Sequence, residues 1–139
     1  MIKPASLRAA LVAAIPSLKV NPDALTVFID RGSIAATGAH SLSFEYRYVC
    51  NALLLDFAGE ADDVFIALVA WVSQNQPDLV TNLDERANGI TYEIDILNNA
   101  TVDISIKLTL TERVVVSVDP DGKRTVTHVN DAAEEWVAT

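Results

Sequence analysis

The chain has 139 residues, of which half are hydrophobic and 21% are charged, so it is long enough to bury a core of its own. The net charge of −9 excludes a protein that grips DNA phosphates, because that task needs clustered Lys and Arg. The single cysteine, Cys50, excludes an intrachain disulfide and favours a reducing, cytoplasmic setting. No apolar run approaches the roughly 20 residues that a membrane-spanning helix needs, and the first residues lack the apolar region of a signal peptide.

Two segments have the periodicity of helices. Residues 4–15 carry an apolar stripe at helical spacing and begin with Pro4, which suits an early helical position. Residues 61–75 predict a longer helix, with Asp62 and Asp63 near its start, where the helix dipole favours negative charge. The predicted buried stripe of this second helix consists of Phe65, Leu68, Val69 and Val72, widened by Trp71.

A long hairpin pattern lies between the two helices. Residues 25–30 alternate as a strand, and the segment from Asp30 to Ser33 is expected to break it. Residues 42–57 then give a second strand pattern that would extend for about 50 Å, well beyond the usual length. Two explanations stay open: a bend or bulge near residue 49, or a hairpin arm of residues 25–48 that leaves the body and packs on a neighbour.

The C-terminal half predicts further strands. Residues 90–96 and 102–110 each alternate with a period of two, and residues 114–118 continue the second pattern. The apolar residues of the two strands share one face only if the connecting loop has an odd count, such as Leu97 to Thr101. A short strand at 125–129 follows a turn.

These elements define the α+β class: a mostly antiparallel β-sheet packed by one long and one N-terminal helix, with a possible projecting β-hairpin. No repeat or linker divides the chain, so residues 1–129 are expected to form a single domain. Residues 130–139 are expected to be a loosely ordered C-terminal tail, which Trp136 could dock.

No group of residues in the sequence has the pattern of a catalytic site. His40 and His128 belong to no spaced ligand set, and no Gly-rich phosphate loop or nucleophile elbow is present. Asp56, Asp95 and Asp103 would meet on a divalent ion only by chance of folding. The sequence therefore predicts no enzyme, no metal site and no cofactor.

Several segments are typical of protein contacts instead. The stretch from Phe44 to Tyr48 combines aromatic residues with an arginine, the types enriched at interfaces, although a core face with a solvated back also fits it. Thr111-Glu112-Arg113 fits a strand-end ion pair or a contact, and Gln76 to Leu79 fits a helix stop or a docking loop. The candidate interface residues are Asp30, Arg31, Ser33, Phe44, Glu45, Tyr46, Arg47, Tyr48, Gln76, Asp78, Glu112 and Arg113.

The most specific pattern in the sequence is a series of short segments in a fixed order. They are Lys3-Pro4 with Ser6-Leu7-Arg8, Asn21-Pro22-Asp23, Asp30 with Gly32-Ser33-Ile34-Ala35, Ser41 to Tyr48, Asp56-Phe57, Trp71, Asn75-Gln76-Pro77-Asp78, Tyr92, Asp95-Ile96, Asp103-Ile104-Ser105-Ile106 and Leu110-Thr111-Glu112-Arg113. Together they resemble the tail-completion protein R family of P2-like contractile-tailed phages and prophages, over roughly residues 3–118. The residues after Val118 show no clear likeness.

The resemblance implies a structural role at the head-proximal end of a phage tail that is assembled in the host bacterial cytoplasm. Such a protein would cap the tail tube or sheath, end polymerisation and enable the head to join, and by analogy with tail terminators it would form a hexameric ring. The implied partners are the chain itself, tube or sheath proteins and neck or connector proteins, with DNA only as passing cargo and no membrane. Two alternatives stay open: a neck or baseplate adaptor without a terminator role, and a small metal-dependent hydrolase.

Overall fold

The computed structural model describes residues 1–36, 38 and 41–131, with the backbone alone at Arg86. It confirms the α+β class: within the described residues, five antiparallel strands form one curled sheet, and helices pack against it. The helices are α1 (Lys3–Ala14), α2 (Pro16–Val20), α3 (Ala61–Asn75), α4 (Asp78–Thr81) and α5 (Leu83–Arg86), with a 3-10 turn at Pro22–Ala24. The strands are β1 (Leu25–Ala36), β2 (Phe44–Phe57), β3 (Ile90–Ile96), β4 (Val102–Val118) and β5 (Arg124–His128).

The sheet has the order β1-β2-β4-β3, and β5 pairs with the far end of β4. The predicted break at residues 30–33 is wrong, because β1 continues through them. Asp30 is instead an extra residue in β1: Ile29 lies opposite Cys50, and Arg31 lies opposite the residue just before Cys50. Such a β-bulge bends a strand while its pairing continues. The bulge is in β1 and lies opposite Val49 and Cys50 of β2, close to the point where one of the two alternatives placed a bend or bulge in the second strand.

The long strand β2 is paired on both sides. β1 flanks one side, and β4 flanks the other as far as Phe44, which lies opposite Val114. The hairpin of β1 and β2 therefore does not leave the sheet as a free arm. The alternative of a hairpin arm formed by residues 25–48 is wrong. A second irregularity lies near Asp56, where φ is 55° and the backbone N–H donates to Asp103 Oδ1 at 2.9 Å.

Strands β3 and β4 confirm the predicted register. Ile96 lies opposite Val102 across the loop Leu97–Thr101, so even-numbered residues face even-numbered residues throughout the pair. The apolar even-numbered side chains of β4 from Ile104 to Leu110 consequently fall on one face, where they are fully buried. We call the face with the even-numbered residues of β2 and β4 the inner face, and the opposite one the outer face.

Helix α3 packs on the inner face with a stripe that differs in part from the predicted one. Val69 is exposed, so the prediction was wrong about this residue, whereas Phe65 is half-buried and packs against the core. Phe65 packs at the rim of the sheet against Tyr92, with ring centroids 5.0 Å apart. The buried residues of α3 are Val64, Leu68, Trp71 and Val72.

Helix α1 packs beside α3 and completes the core. Leu7 and Leu11 are fully buried, and burial of one such side chain stabilises a fold by about 2 kcal/mol. Trp71 Nε1 of α3 donates a hydrogen bond to Ser6 Oγ of α1 at 3.0 Å. The start of α1 thereby lies next to the C-terminal half of β4, close to the candidate residue Glu112.

Candidate functional site

The structure sorts the candidate interface residues by burial. Tyr48, Gln76 and Glu112 are only 2–4% exposed, so they are not part of the surface of the folded chain, which corrects their assignment as contact residues. They belong to a buried group of polar side chains between β4, α1 and the end of α3. The exposed candidates are Asp30, Arg31, Ser33, Arg47 and Arg113, and the half-buried ones are Phe44, Glu45, Tyr46 and Asp78.

Glu112 lies on the inner face of β4 because side chains alternate between the two faces of a strand and Glu112 is two residues after Leu110. Its carboxylate accepts hydrogen bonds from the backbone N–H groups of Ile2 at 2.7 Å and Lys3 at 3.4 Å. These groups begin α1, whose own N-cap residue makes no side-chain hydrogen bond. Glu112 therefore caps α1 from a distant strand, and its negative charge matches the positive end of the helix dipole.

Tyr48 completes the surroundings of the Glu112 carboxylate. The Tyr48 hydroxyl, on the neighbouring strand β2, donates a hydrogen bond to Glu112 Oε2. Burial, followed by this hydrogen bond and the charge of Glu112, raises the pKa of the Tyr48 hydroxyl far above its ordinary value of 10.0. Burial also raises the pKa of the Cys50 thiol to about 11, with a further contribution from the charge of Glu112. Both groups are thus uncharged in the folded chain at neutral pH.

Strand β4 has a gap in its pairing along the edge away from β2. β3 pairs with β4 as far as Leu108, and β5 pairs with it from Val114 onward. Thr111 lies between these two partners, and its backbone N–H and C=O point into the gap. A buried backbone group without a partner costs about 1–3 kcal/mol, so this stretch of β4 needs other partners.

Two side chains supply those partners. Gln76 Oε1 accepts from the Thr111 N–H at 3.0 Å, and Lys3 Nζ donates to the Thr111 C=O at 2.6 Å. Gln76 Nε2 also donates to Thr111 Oγ1 at 2.9 Å and to Asp78 Oδ1 at 2.7 Å. Lys3 Nζ donates to Gln76 Oε1 at 2.6 Å, which joins the two side chains to one another. The amide of Gln76 thus takes the place of a neighbouring strand.

Asp131 extends this group to the C-terminal part of the chain. Its Oδ2 atom lies 2.6 Å from Lys3 Nζ, so the start of the segment predicted to be a loosely ordered tail is in contact with α1. Residues 132–139, and with them the docking residue Trp136, lie outside the described residues. We call the following six residues the polar cluster: Lys3, Tyr48, Gln76, Thr111, Glu112 and Asp131.

The exposed candidates lie mostly on the outer face of the sheet. Arg31, Arg47 and Arg113 come from the adjacent strands β1, β2 and β4 at this end of the sheet. Glu45 lies among them, with its Oε1 3.6 Å from Arg47 Nε. Arginine side chains therefore outnumber acidic ones on this part of an otherwise acidic chain.

The two half-buried aromatic candidates lie on the inner face at the same end of the sheet. Phe44 and Tyr46 pack edge to face, with ring centroids 5.1 Å apart. Ile34, which lies opposite Tyr46 in β1, is 65% exposed. The helices therefore cover this end of the inner face only in part.

Of the acidic residues considered as a metal site, Asp103 makes a structural contact. Asp95 and Asp103 lie opposite one another in β3 and β4, and Asp103 accepts the backbone N–H of Asp56. Within the described ranges, no three His, Cys, Asp or Glu side chains group closely enough to hold a metal ion. His40 lies outside those ranges. In the part of the chain that the structure covers, no helix has the length and apolar character needed to cross a membrane.

The fold and the polar cluster together define a small α+β protein whose buried polar residues connect its own helices to its sheet. The family model for P2 phage tail completion protein R (GpR) matches residues 1–132, and the chain belongs to this family of structural phage tail proteins. It is 47% identical to tail completion protein R of Escherichia phage P2 over 131 residues, which cover 94% of this chain and 84% of that protein. The family match continues past Val118, where the sequence alone showed no likeness. No solved structure matches the chain.

All residues of the polar cluster except Asp131 belong to the segments that carry the family resemblance. One signal in the sequence could have placed Glu112 in the core, because it is in step with Leu110 and Val114 on the same strand. Gln76 offers no comparable signal, since it follows a helix and approaches β4 only in the tertiary fold. The segments that contain these five residues thus converge on one buried site.

Proposed function

We propose that this chain completes a phage tail at its head-proximal end, where it acts as a non-enzymatic hexameric ring. The ring caps the tube or sheath, ends polymerisation and makes the tail competent to join the head. The observation that carries the proposal is the similarity to tail completion protein R of Escherichia phage P2 along 94% of the chain. The ring and its position follow by analogy with tail terminators.

The polar cluster supports this proposal through rigidity. A protein that ends a polymer must present a fixed shape to the last layer of subunits. A flexible protein would lose conformational entropy on binding, and this loss would weaken the contact. The cluster joins α1, the end of α3 and the far end of β4 through charged and buried hydrogen bonds. Such bonds restrict the helices relative to the sheet.

The charge of the chain supports a position beside a DNA channel. With a net charge of −9, the protein repels phosphates, so DNA passes without sticking. The proposed partners are other copies of the chain, tube or sheath proteins, and neck or connector proteins. The exposed candidates Asp30, Arg31, Ser33, Arg47 and Arg113 are the proposed contact residues, and assembly takes place in the bacterial cytoplasm.

The proposal is tested in the phage or prophage that encodes the chain. A stop codon early in the gene is expected to give tails of uncontrolled length and heads without tails in negatively stained lysates. Expression of the tagged wild-type chain from a plasmid restores normal particles. Gold label against the tag is expected at the head-proximal end of the tail.

Other label positions and other particle shapes would support the alternative functions. Label at the distal end supports a baseplate adaptor and contradicts tail completion at the head-proximal end. Tails of normal length beside unjoined heads support a neck adaptor without a terminator role. A plasmid that carries the same stop codon is the matched control.

A further inference from the structure

Helix α3 has an apolar, acidic surface that the rest of the described chain leaves largely uncovered. Ile66 is 67% exposed and Val69 is 47% exposed, although both lie in the middle of the helix. They line a shallow groove together with Asp62 and Phe65. Asp62 and Asp63 are in the first turn of the helix, and residues 61–75 contain no Lys or Arg. We call the surface formed by Asp62, Asp63, Phe65, Ile66 and Val69 the helix surface.

A second groove lies on the outer face of the sheet and has the opposite charge. Its lining includes the side chains of Arg31, Arg47 and Val49. Phe28 lies on the same face and is 43% exposed. The Arg47 side chain is 60% exposed, and its Nε is 3.6 Å from Glu45. We call the surface formed by Phe28, Arg31, Arg47 and Val49 the sheet surface.

We propose that the helix surface of one copy of this chain binds the sheet surface of the next copy. The inference rests on the proposed ring and names the contact that builds it. Aliphatic side chains of the helix surface pack on Val49 and Phe28, while Asp62 and Asp63 face the two arginines. In a chain of net charge −9, a basic surface of this kind is the place where an acidic surface of another copy is attracted.

The positions of the two surfaces determine the symmetry of the contact. α3 covers the inner face of the sheet, so the helix surface and the sheet surface lie on opposite sides of the molecule. Two copies cannot satisfy both surfaces with each other, and each copy therefore binds one neighbour on each side. Such a heterologous contact produces a ring when the rotation between copies closes. Pairing of two helix surfaces is disfavoured, because it places four aspartates together.

The test uses two charge-reversed variants of the full chain. Asp62→Arg with Asp63→Arg alters the helix surface, and Arg31→Glu with Arg47→Glu alters the sheet surface. Each variant is expected to weaken self-association by about 30-fold or more at low salt, measured by analytical ultracentrifugation. An equimolar mixture is expected to form a mixed oligomer in which the two variants alternate, because every helix surface then meets a sheet surface of opposite charge. All four changes in one chain are expected to restore the larger oligomer, since the charges are then exchanged.

Matched controls separate the contact from net charge and from folding. Asp23→Arg with Asp121→Arg, and Lys19→Glu with Lys123→Glu, make the same charge changes at exposed positions elsewhere and are expected to leave self-association unchanged. Ile66→Arg alters the helix surface without removing the acidic first turn, so it tests the contact even if the Asp62 and Asp63 variant is unstable.

The outcomes distinguish failure of the proposed contact from failure of the proposed ring. A wild-type oligomer that neither surface variant weakens overturns the contact and leaves the proposed ring standing. A wild-type chain that stays monomeric, alone and on isolated tails, overturns both. Weakening by both variants without formation of a mixed oligomer in the equimolar mixture also overturns the heterologous contact.

Discussion

Glu112 places a carboxylate inside the core and holds it with three donors, the N–H groups of Ile2 and Lys3 and the Tyr48 hydroxyl. Glu112→Gln keeps the shape but replaces one acceptor oxygen by a donor group. We expect it to lower the free energy of unfolding by about 2–4 kcal/mol, because buried donors lose a charged partner. Urea unfolding followed by circular dichroism measures the change.

Two further variants show whether the loss comes from this contact. Glu93→Gln changes an exposed glutamate on the edge strand β3 and is expected to alter stability by less than about 0.5 kcal/mol. Tyr48→Phe removes only the hydroxyl, and a double-mutant cycle with Glu112→Gln is expected to show a coupling of about 1 kcal/mol or more. A loss below 0.5 kcal/mol for Glu112→Gln contradicts its role as a cap.

Cys50 makes the stability of the protein depend on pH. The pKa of its thiol rises from 9.0 to about 11 on folding, so above pH 9.0 the unfolded chain loses a proton that the folded chain keeps. The stability that this group contributes is complete below pH 9.0 and is lost as the pH rises through about 11. The buried Tyr48 hydroxyl acts in the same direction at still higher pH, since its pKa is also raised.

Cys50→Ala tests this dependence. The wild-type free energy of unfolding is expected to fall more steeply with pH than that of the variant, by up to about 1.4 kcal/mol per pH unit above pH 9. The measurement is a series of urea titrations from about pH 8 to about pH 10.5, in which slopes are compared because the substitution itself lowers stability. Equal slopes contradict the raised pKa.

At the scale of elements, Gln76 connects the end of α3 to the unpaired stretch of β4. Gln76→Ala leaves the Thr111 N–H without its acceptor and removes one acceptor from Lys3 Nζ. We expect a loss of about 1–3 kcal/mol and faster hydrogen exchange at the Thr111 amide. Gln74→Ala, at an exposed position of the same helix, is the control and is expected to change neither quantity. Unchanged exchange at Thr111 in the Gln76 variant would falsify the idea that this amide replaces a strand.

The elements that sequence analysis predicted correctly are those whose signals are local. The alternation in β3 and β4 determined their register, because a shift by one residue exposes every apolar side chain of a strand. The Asp30 to Ser33 segment has the composition of a turn, and only its pairing with β2 makes it a bulge. The exposed half of the candidate site remains a prediction, whereas Gln76 was misassigned because its partners come from remote parts of the chain.

At the scale of the whole molecule, the contacts of Lys3 join parts that are remote from one another in the sequence. Lys3, in the first turn of the N-terminal helix, contacts Gln76 after α3, Thr111 in β4 and Asp131 in the C-terminal part of the chain. The side chain of Lys3 is 3% exposed, so no water replaces these partners easily. The helices and the sheet therefore share one set of interactions, and we propose that residues 1–129 unfold as a single unit.

Lys3→Met tests this unity, because methionine keeps the apolar length of the side chain and removes only the donor. We expect a loss of about 2–4 kcal/mol, since Asp131 and the Thr111 carbonyl lose a charged partner. Far-UV circular dichroism, tryptophan fluorescence and reactivity of the buried Cys50 thiol are expected to show one shared transition at a lower urea concentration, with the same slope as the wild type. Lys19→Met, at an exposed position, is expected to leave the midpoint unchanged. If the three probes already separate in the wild type, the helices and the sheet unfold as distinct units, and the polar cluster joins them without making them one.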